Sequence, residues 1–276
     1  MKIQPRQENG IQYSVGPIPE RICGVSPHTK IMSMRVLDEN GSGQSSRIIS
    51  AIEEILKIND YGRRILIHGV NLSLGYWFNP EWHACGQSPL CVAVDRLVRS
   101  GVVVVVAAGN SGYIQTQVYK NMSAVTAAGQ TITINDPGNA DLAITVGSTH
   151  RNMPHLYGVS FFSSKGPTGD GRLKPDLVAP GEKIISCAAG KLLDKTGAAE
   201  NTTIENPTFY LEYSGTSMAA PHVSGAIASF LSIRREFIGR PEHVKQIFMK
   251  ATTDLNRTKT FQGAGLLDLM RAIQSI

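Results

Sequence analysis

The sequence predicts an α/β fold: a doubly wound, mostly parallel sheet with helices on both faces. Three observations carry that prediction. Residues 102–106 are five consecutive valines, β-branched and apolar on both faces of the pleat, as a strand covered on both sides of a parallel sheet requires. Strand-like and helix-like segments alternate along the chain. Helix start and stop signals stand at the expected places. No internal repeat or linker divides the 276 residues, so they read as one domain, 1–276, with 1–22 as an irregular lead-in.

The elements follow in order. Residues 1–22 hold Gly10, Gly16, Pro17 and Pro19 and little pattern. Residues 31–37 alternate imperfectly and read as a strand, and 38–43 form a turn. Ser45 caps a helix whose Ile48, Ile49, Ile52, Ile55 and Leu56 share one face. Residues 65–74 read as a second strand. Ser88 and Pro89 open a helix as cap and first residue, and Gly101 closes it. After the valine strand, 143–147 and 184–186 read as short strands, and 209–213 leads into a turn at Ser217. Helices are predicted at about 217–232, 241–251 and 266–275.

Composition narrows the class. With 42% hydrophobic and 18% charged residues the chain is globular rather than disordered. Its net charge of +5 is scattered, so a nucleic-acid partner is not expected. Cys23, Cys85, Cys91 and Cys187 fit no zinc spacing. Cys85 and Cys91 are spaced for a small loop disulfide in an oxidising compartment, or stand as free thiols. Residues 1–8 are polar, without the apolar core of a signal peptide, and no apolar run reaches membrane length. The expectation is no membrane, and a cytoplasmic location if Met1 is the true start.

One stretch organises the chemistry: Ser214-Gly215-Thr216-Ser217-Met218-Ala219-Ala220-Pro221-His222-Val223-Ser224-Gly225. Gly215 permits a turn, Thr216 or Ser217 begins a helix, and Pro221 is placed early in it, where a missing N–H matters least. A hydroxyl at a helix N-terminus sits in the positive end of the dipole and suits a nucleophile that becomes part of an anionic intermediate. The bland alternative is a capped core helix.

The run Gly-Thr-Ser-Met-Ala-x-Pro-His-Val-x-Gly resembles the nucleophile segment of the subtilisin-like serine peptidases, the subtilases. Further blocks are similar to that family in the same order: 24–27, 34–37, Gly41-Ser42-Gly43, 71–75, Ala107-Ala108-Gly109-Asn110-Ser111-Gly112, 162–167, 174–181 and 263–268. The resemblance covers residue 24 to the end and implies the C-terminal part of a peptidase domain. It implies Ser217 as nucleophile and Asn110, after the buried valine strand, as an oxyanion donor beside the N–H of Ser217. Gly41, Ser42 and Gly43, with Ser73, Leu74 and Gly75, would flank an extended polypeptide substrate held by β-augmentation. Ala107, Ala108, Gly109 and the loop 135–138 would line the pocket for the residue before the cut. Asp136 is the only charge there, which leans toward apolar side chains. The Asp136–Pro137 bond is expected cis, and Tyr213 near the leaving group. No metal site or cofactor is assigned; calcium is possible in the intact family member, and Asn9-Gly10-Ile11 is a candidate remnant of the loop of its site.

The chain also departs from the pattern. The family carries an Asp in Asp-Thr-Gly or Asp-Ser-Gly and then a His in His-Gly-Thr-His, in the order Asp, His, Ser. Neither motif occurs, and residues 1–22 contain no His and no Asp. His222 lies five residues along the same helix, about 7.5 Å away along the axis. His68 lies about 16 Å back from Ser73 along its strand. Without the Asp strand the sheet should carry a gap with unpaired buried backbone groups, each costing about 1–3 kcal/mol. The reading is therefore a subtilisin-type serine endopeptidase lacking its N-terminal strand and His helix. The alternatives are an inactive peptide-binding or scaffold relative and one half of a split peptidase that needs a missing N-terminal segment. A dinucleotide-binding domain is excluded, since no Gly-x-Gly-x-x-Gly follows a strand.

Overall fold

The valine run forms β5 (Val103–Ala107), every residue of it buried. It lies inside a four-stranded parallel sheet of order β4-β5-β8-β9, with β4 at Gly69–Leu72, β8 at Ile144–His150 and β9 at Leu177–Glu182. A computed structural model describes residues 2–3, 6–8, 11–13, 22–117, 125–189 and 209–276.

The pleat divides the valines between two cores. Val104 and Val106 pack with α1 (Ser45–Ile58) and α2 (Pro89–Arg99), through Ile52, Leu56, Leu90, Val94 and Leu97. Val103 and Val105 face the other side and pack with Ala219, Val223, Ile227 and Phe230 of a long helix over Thr216–Ile233. Alternation of side chains along a strand and 3.6-residue spacing along the helices make these two faces meet. Ser88 caps α2 through its hydroxyl, with Pro89 first in the helix, and Gly101 follows with φ +100°.

In chain order after α2, a short helix α3 spans Pro154–Tyr157; the long helix Thr216–Ile233 is α4, followed by α5 (Pro241–Lys250), α6 (Lys259–Gln262) and α7 (Leu269–Gln274). Lys174, Asp176 and Lys245 knit this side together. The Lys174 amine is buried and donates to Asp176 Oδ2 at 2.6 Å, to the Ala143 carbonyl and to Thr145 Oγ1, while Lys245 of α5 meets Asp176 Oδ1 at 3.0 Å. Burial lowers the Lys174 amine to about 8, against the pull of Asp176. Burial alone would raise the Asp176 carboxyl, but Lys174 and Lys245 hold it below the usual range.

Several local expectations differ from the structure. Residues 31–37 are not a strand. Met34 and Val36 pack on the α1–α2 core, but Ile31 is 88% exposed and the segment pairs with no strand among the described residues. The strand read at 65–74 shortens to Gly69–Leu72. Ser45 is the first helical residue rather than the cap; Gln44 precedes it with no side-chain cap bond. The lead-in is not wholly irregular: β1 (Lys2–Ile3) pairs parallel with β11 (Phe209–Tyr213), which pairs antiparallel with β10 (Ile184–Cys187), and β2 (Arg6–Glu8) pairs with β3 (Ile11–Tyr13). A hairpin of β6 (Tyr113–Gln117) and β7 (Val125–Gly129) had no legible signal. Asn9 and Gly10, the suggested calcium remnant, lie outside the described residues. All four cysteines are free thiols.

Among the described residues β4 is an edge strand of this sheet. The Val103 N–H donates to the His68 carbonyl at 3.0 Å, so residues 68, 70 and 72 turn their backbone groups toward β5. Residues 69, 71 and 73 then point to the other side, where no strand pairs among the described residues. Gly69 and Asn71 are exposed, so that edge is open to solvent rather than buried.

Candidate active site

The site is assembled where β4 and β5 end and α4 begins. Gly215 precedes the helix in extended backbone and ties it to β9 through its N–H to the Gly181 carbonyl, 2.8 Å. Ser217 is the second helical residue, so its N–H is one of the first-turn donors that a helix cannot satisfy internally. Its hydroxyl donates to the Ser73 carbonyl at 3.1 Å. In return the Ser73 hydroxyl donates to the Ser217 carbonyl at 2.8 Å. Pro221 explains why that carbonyl is available. It is the sixth helical residue rather than an early one, and it lacks the N–H that would have closed the bond back to residue 217. Ser73, at the end of β4, takes that place and fixes the helix start against the sheet.

Asn110 is held by the residue beside the nucleophile. Its Oδ1 accepts from the Thr216 N–H at 2.9 Å and from the Thr216 hydroxyl at 3.1 Å. The Thr216 hydroxyl accepts in turn from the Gly109 N–H at 3.1 Å. With the acceptor end occupied twice, Nδ2 is left as a donor. A Cβ built on Gly215 would come 3.4 Å from it, so Gly215 keeps the path between the two open.

These groups face a cleft of about 680 Å³. Ser217, Asn110, Gly41, Ser42, Gly43, Ser73, Leu74, Gly75 and Gly109 all line it, and all were expected from the sequence. Ala108 is a correction: it is fully buried, while its neighbours Ala107 and Gly109 face the cleft, as alternation at a strand end dictates. Tyr213 is also outside the lining; it stands 41% exposed on β11. Asp136 turns away from the cleft, 1% exposed and accepting from Asn139 Nδ2 at 2.8 Å. The Asp136–Pro137 bond is cis. Aromatic walls from Tyr76, Trp77 and Tyr113 were not anticipated, because they lie in loops or on a hairpin without period. The Ser73–Ser217 exchange was also missed, although a proline four residues after the nucleophile was the available signal.

No histidine bonds Ser217. His222 Nδ1 is engaged by the Met218 carbonyl at 2.8 Å, His150 Nδ1 accepts from the N–H groups of Asn152 and Met153, and His28, His68, His83, His155 and His243 are exposed. Among the described residues no group of three or more His, Cys, Asp or Glu is placed to hold a metal ion, and no helix is long and apolar enough to cross a membrane.

The Ser217 hydroxyl at a helix N-terminus, the Asn110 side-chain amide and an open groove at the ends of parallel strands of this chain meet in one cleft. The comparisons give the chain's family. The profile of the subtilase family matches residues 6–265. The serine protease AprX of Bacillus subtilis (strain 168) is 31% identical over 233 residues, 83% of this chain and 48% of its own length. Subtilisin E of the same strain is 29% identical over 253 residues, 92% of this chain and 51% of its own. Among solved structures, fervidolysin from Fervidobacterium pennivorans, a keratinolytic enzyme related to subtilisin, aligns with TM-score 0.64 and 25% identity over 92% of this chain and 33% of that one. The chain belongs to the subtilase family, and it spans about half the length of the curated relatives it matches.

Proposed function

We propose that this chain supplies the nucleophile, the oxyanion donor and the peptide groove of a subtilisin-type serine endopeptidase. Its general base and the acid behind it come from a segment outside these 276 residues. The observation that carries the reading is the bonding of Asn110 Oδ1 to Thr216, which leaves Nδ2 as the donor end of a side chain that lines the same cleft as Ser217. In the reaction Ser217 Oγ attacks the scissile carbonyl carbon, the carbonyl oxygen becomes anionic, and Asn110 Nδ2 with the Ser217 N–H receive it. The base takes the Oγ proton and passes it to the departing amine; water then repeats the sequence to release the acid. The Ser73 carbonyl, the present acceptor of that proton, is too weak a base for the task.

The free edge of β4 supports the place of the missing part. Residues 69 and 71 turn backbone groups to that side with no strand pairing them among the described residues, and the Ser73 carbonyl on the same side accepts from the Ser217 hydroxyl. A parallel strand added along this edge ends beside Ser217. The absence of a histidine at Ser217 favours a second reading for the chain on its own: a groove that binds polypeptide without cutting it.

Labelling by a fluorophosphonate separates these. The 276-residue chain alone is expected to label negligibly at Ser217. Adding a segment with the family's Asp strand and His helix, fused or in trans, should restore labelling, and Ser217→Ala in the restored protein should fold without labelling. Robust proteolysis by the chain alone, abolished by Ser217→Ala, would refute the need for an outside base. No labelling after restoration would leave the binding reading.

A further inference from the structure

The loop that carries Asn110, residues 109–112, is laced to the segment 161–165. The Ser164 N–H donates to the Gly109 carbonyl at 2.9 Å, the Ser111 N–H to Ser164 Oγ at 3.1 Å, and the Gly112 N–H to the Phe162 carbonyl at 2.9 Å. The fourth link is a charge: Lys165 Nζ donates to the Gly112 carbonyl at 3.0 Å and to the Phe161 carbonyl at 2.9 Å. A Cβ on Gly112 would run into the Ser163 carbonyl and stand 2.6 Å from that amine, so this close approach needs glycine. The segment 161–165 is itself fixed. Ser163 Oγ accepts from the Ser148 N–H of β8 at 3.0 Å, and the Lys165 carbonyl accepts from the Thr133 N–H at 2.9 Å.

Lys165 is 6% exposed, and no carboxylate pairs with it among the described residues. Its amine lies 5.3 Å from the centroid of the Phe261 ring of α6, and burial pushes it below its usual range. A buried cation without a counter-ion is costly, and a side chain that only filled this space would be apolar. Resting on the reading of Asn110 as the oxyanion donor, we propose that Lys165, with Ser164, is a positioning residue that clamps the 109–112 loop and so fixes Asn110 Nδ2 in the cleft. Thr216 holds the Asn110 side chain, and Lys165 holds the backbone two residues further on. An amide fixed in this way needs no reorganisation when charge develops beside it, which is what an oxyanion donor requires. Lys165 itself touches neither Ser217 nor the cleft lining beyond this loop.

Two readouts test the clamp. In the 276-residue chain, hydrogen exchange followed by NMR reads the Ser111 and Gly112 amides. Lys165→Met removes the charge and keeps an unbranched side chain; it should speed their exchange about tenfold or more while the β5 amides stay unmoved. Ser164→Ala should give the same local loss by a second route, and it serves where Lys165→Met does not fold. In the enzyme restored with its N-terminal segment, Lys165→Met should lower kcat about tenfold with KM nearly unchanged. In an Asn110→Ala background the same change should alter kcat by less than about twofold, because the donor it positions is gone. Unmoved Ser111 and Gly112 amides overturn the proposal. So does loss of protection spread through β5, or an equal fall in kcat with and without Asn110. A restored enzyme with no turnover sinks the peptidase reading, and exchange in the chain alone still decides whether Lys165 clamps the loop.

Discussion

Ser73→Ala, alone and combined with Pro221→Ala, probes the joint between the sheet and the nucleophile helix. The Ser73 hydroxyl is the donor that satisfies the Ser217 carbonyl, which Pro221 leaves without an intrahelical partner. Removing it loses the bond to that carbonyl, about 0.5–1.5 kcal/mol, and an exposed bond accepted from Asn71 Nδ2 that is common to both backgrounds, and adds part of the cost of an unsatisfied carbonyl, about 1–3 kcal/mol when fully buried. Ser217 is only half-buried, so a total of about 1–2 kcal/mol is expected, or about 3–6 °C in Tm for a chain of this size. Pro221→Ala restores the N–H at the position that closes the helical bond to residue 217. In that background Ser73→Ala should cost about 0.5 kcal/mol or less, giving a coupling of about 1 kcal/mol in the double-mutant cycle. Scanning calorimetry and urea midpoints on the four proteins measure it. Ser73→Ala keeps its backbone carbonyl, so the Ser217 hydroxyl retains its acceptor in every variant. Equal Tm shifts for Ser73→Ala in both backgrounds would show that the two positions are independent and that the carbonyl argument is wrong.

Two further outcomes follow from the same geometry. In the restored enzyme, Asn110→Asp keeps an oxygen for the Thr216 N–H but removes the donor; kcat should fall about 10²–10³-fold or more, a loss known for one oxyanion donor in a subtilisin, with KM nearly unchanged. A comparable fall in KM-dependent binding instead would assign Asn110 to substrate positioning. The Lys174 amine, lowered by burial to about 8 from 10.5, binds its proton less readily folded than unfolded. Between about pH 8 and 10.5 the unfolded chain therefore holds more protons, and stability from this group rises with pH across that window. Lys174→Met, which leaves Asp176 its bond to Lys245, should flatten that rise in urea midpoints; an unchanged slope would contradict it.

Sequence determined the parts of this protein in which local pattern and burial agree. The five valines specify a strand covered on both faces, and the structure divides them between two cores. Ser88-Pro89 and the one-sided isoleucines of 45–58 mark helices because capping and period are local properties. The resemblance of the Ser217 segment and the Gly-Asn block at 109–110 to the subtilases pointed to the cleft residues without coordinates, and each sits at a strand end or helix start. Tertiary structure decided the rest. Residues 31–37 have a strand's alternation, but a strand exists only when another pairs with it, and none does among the described residues. Ala108 shares a motif with Gly109, yet a one-residue step reverses the side of a pleat, so one is buried and the other lines the cleft. Asp136 and Asn135 are adjacent in sequence, and the turn buries the charge while leaving the amide in the cleft. The exchange between Ser73 and Ser217 joins residues 144 positions apart. Only the packing of α4 across the end of β4 brings a carbonyl that proline left unpaired to a hydroxyl able to satisfy it.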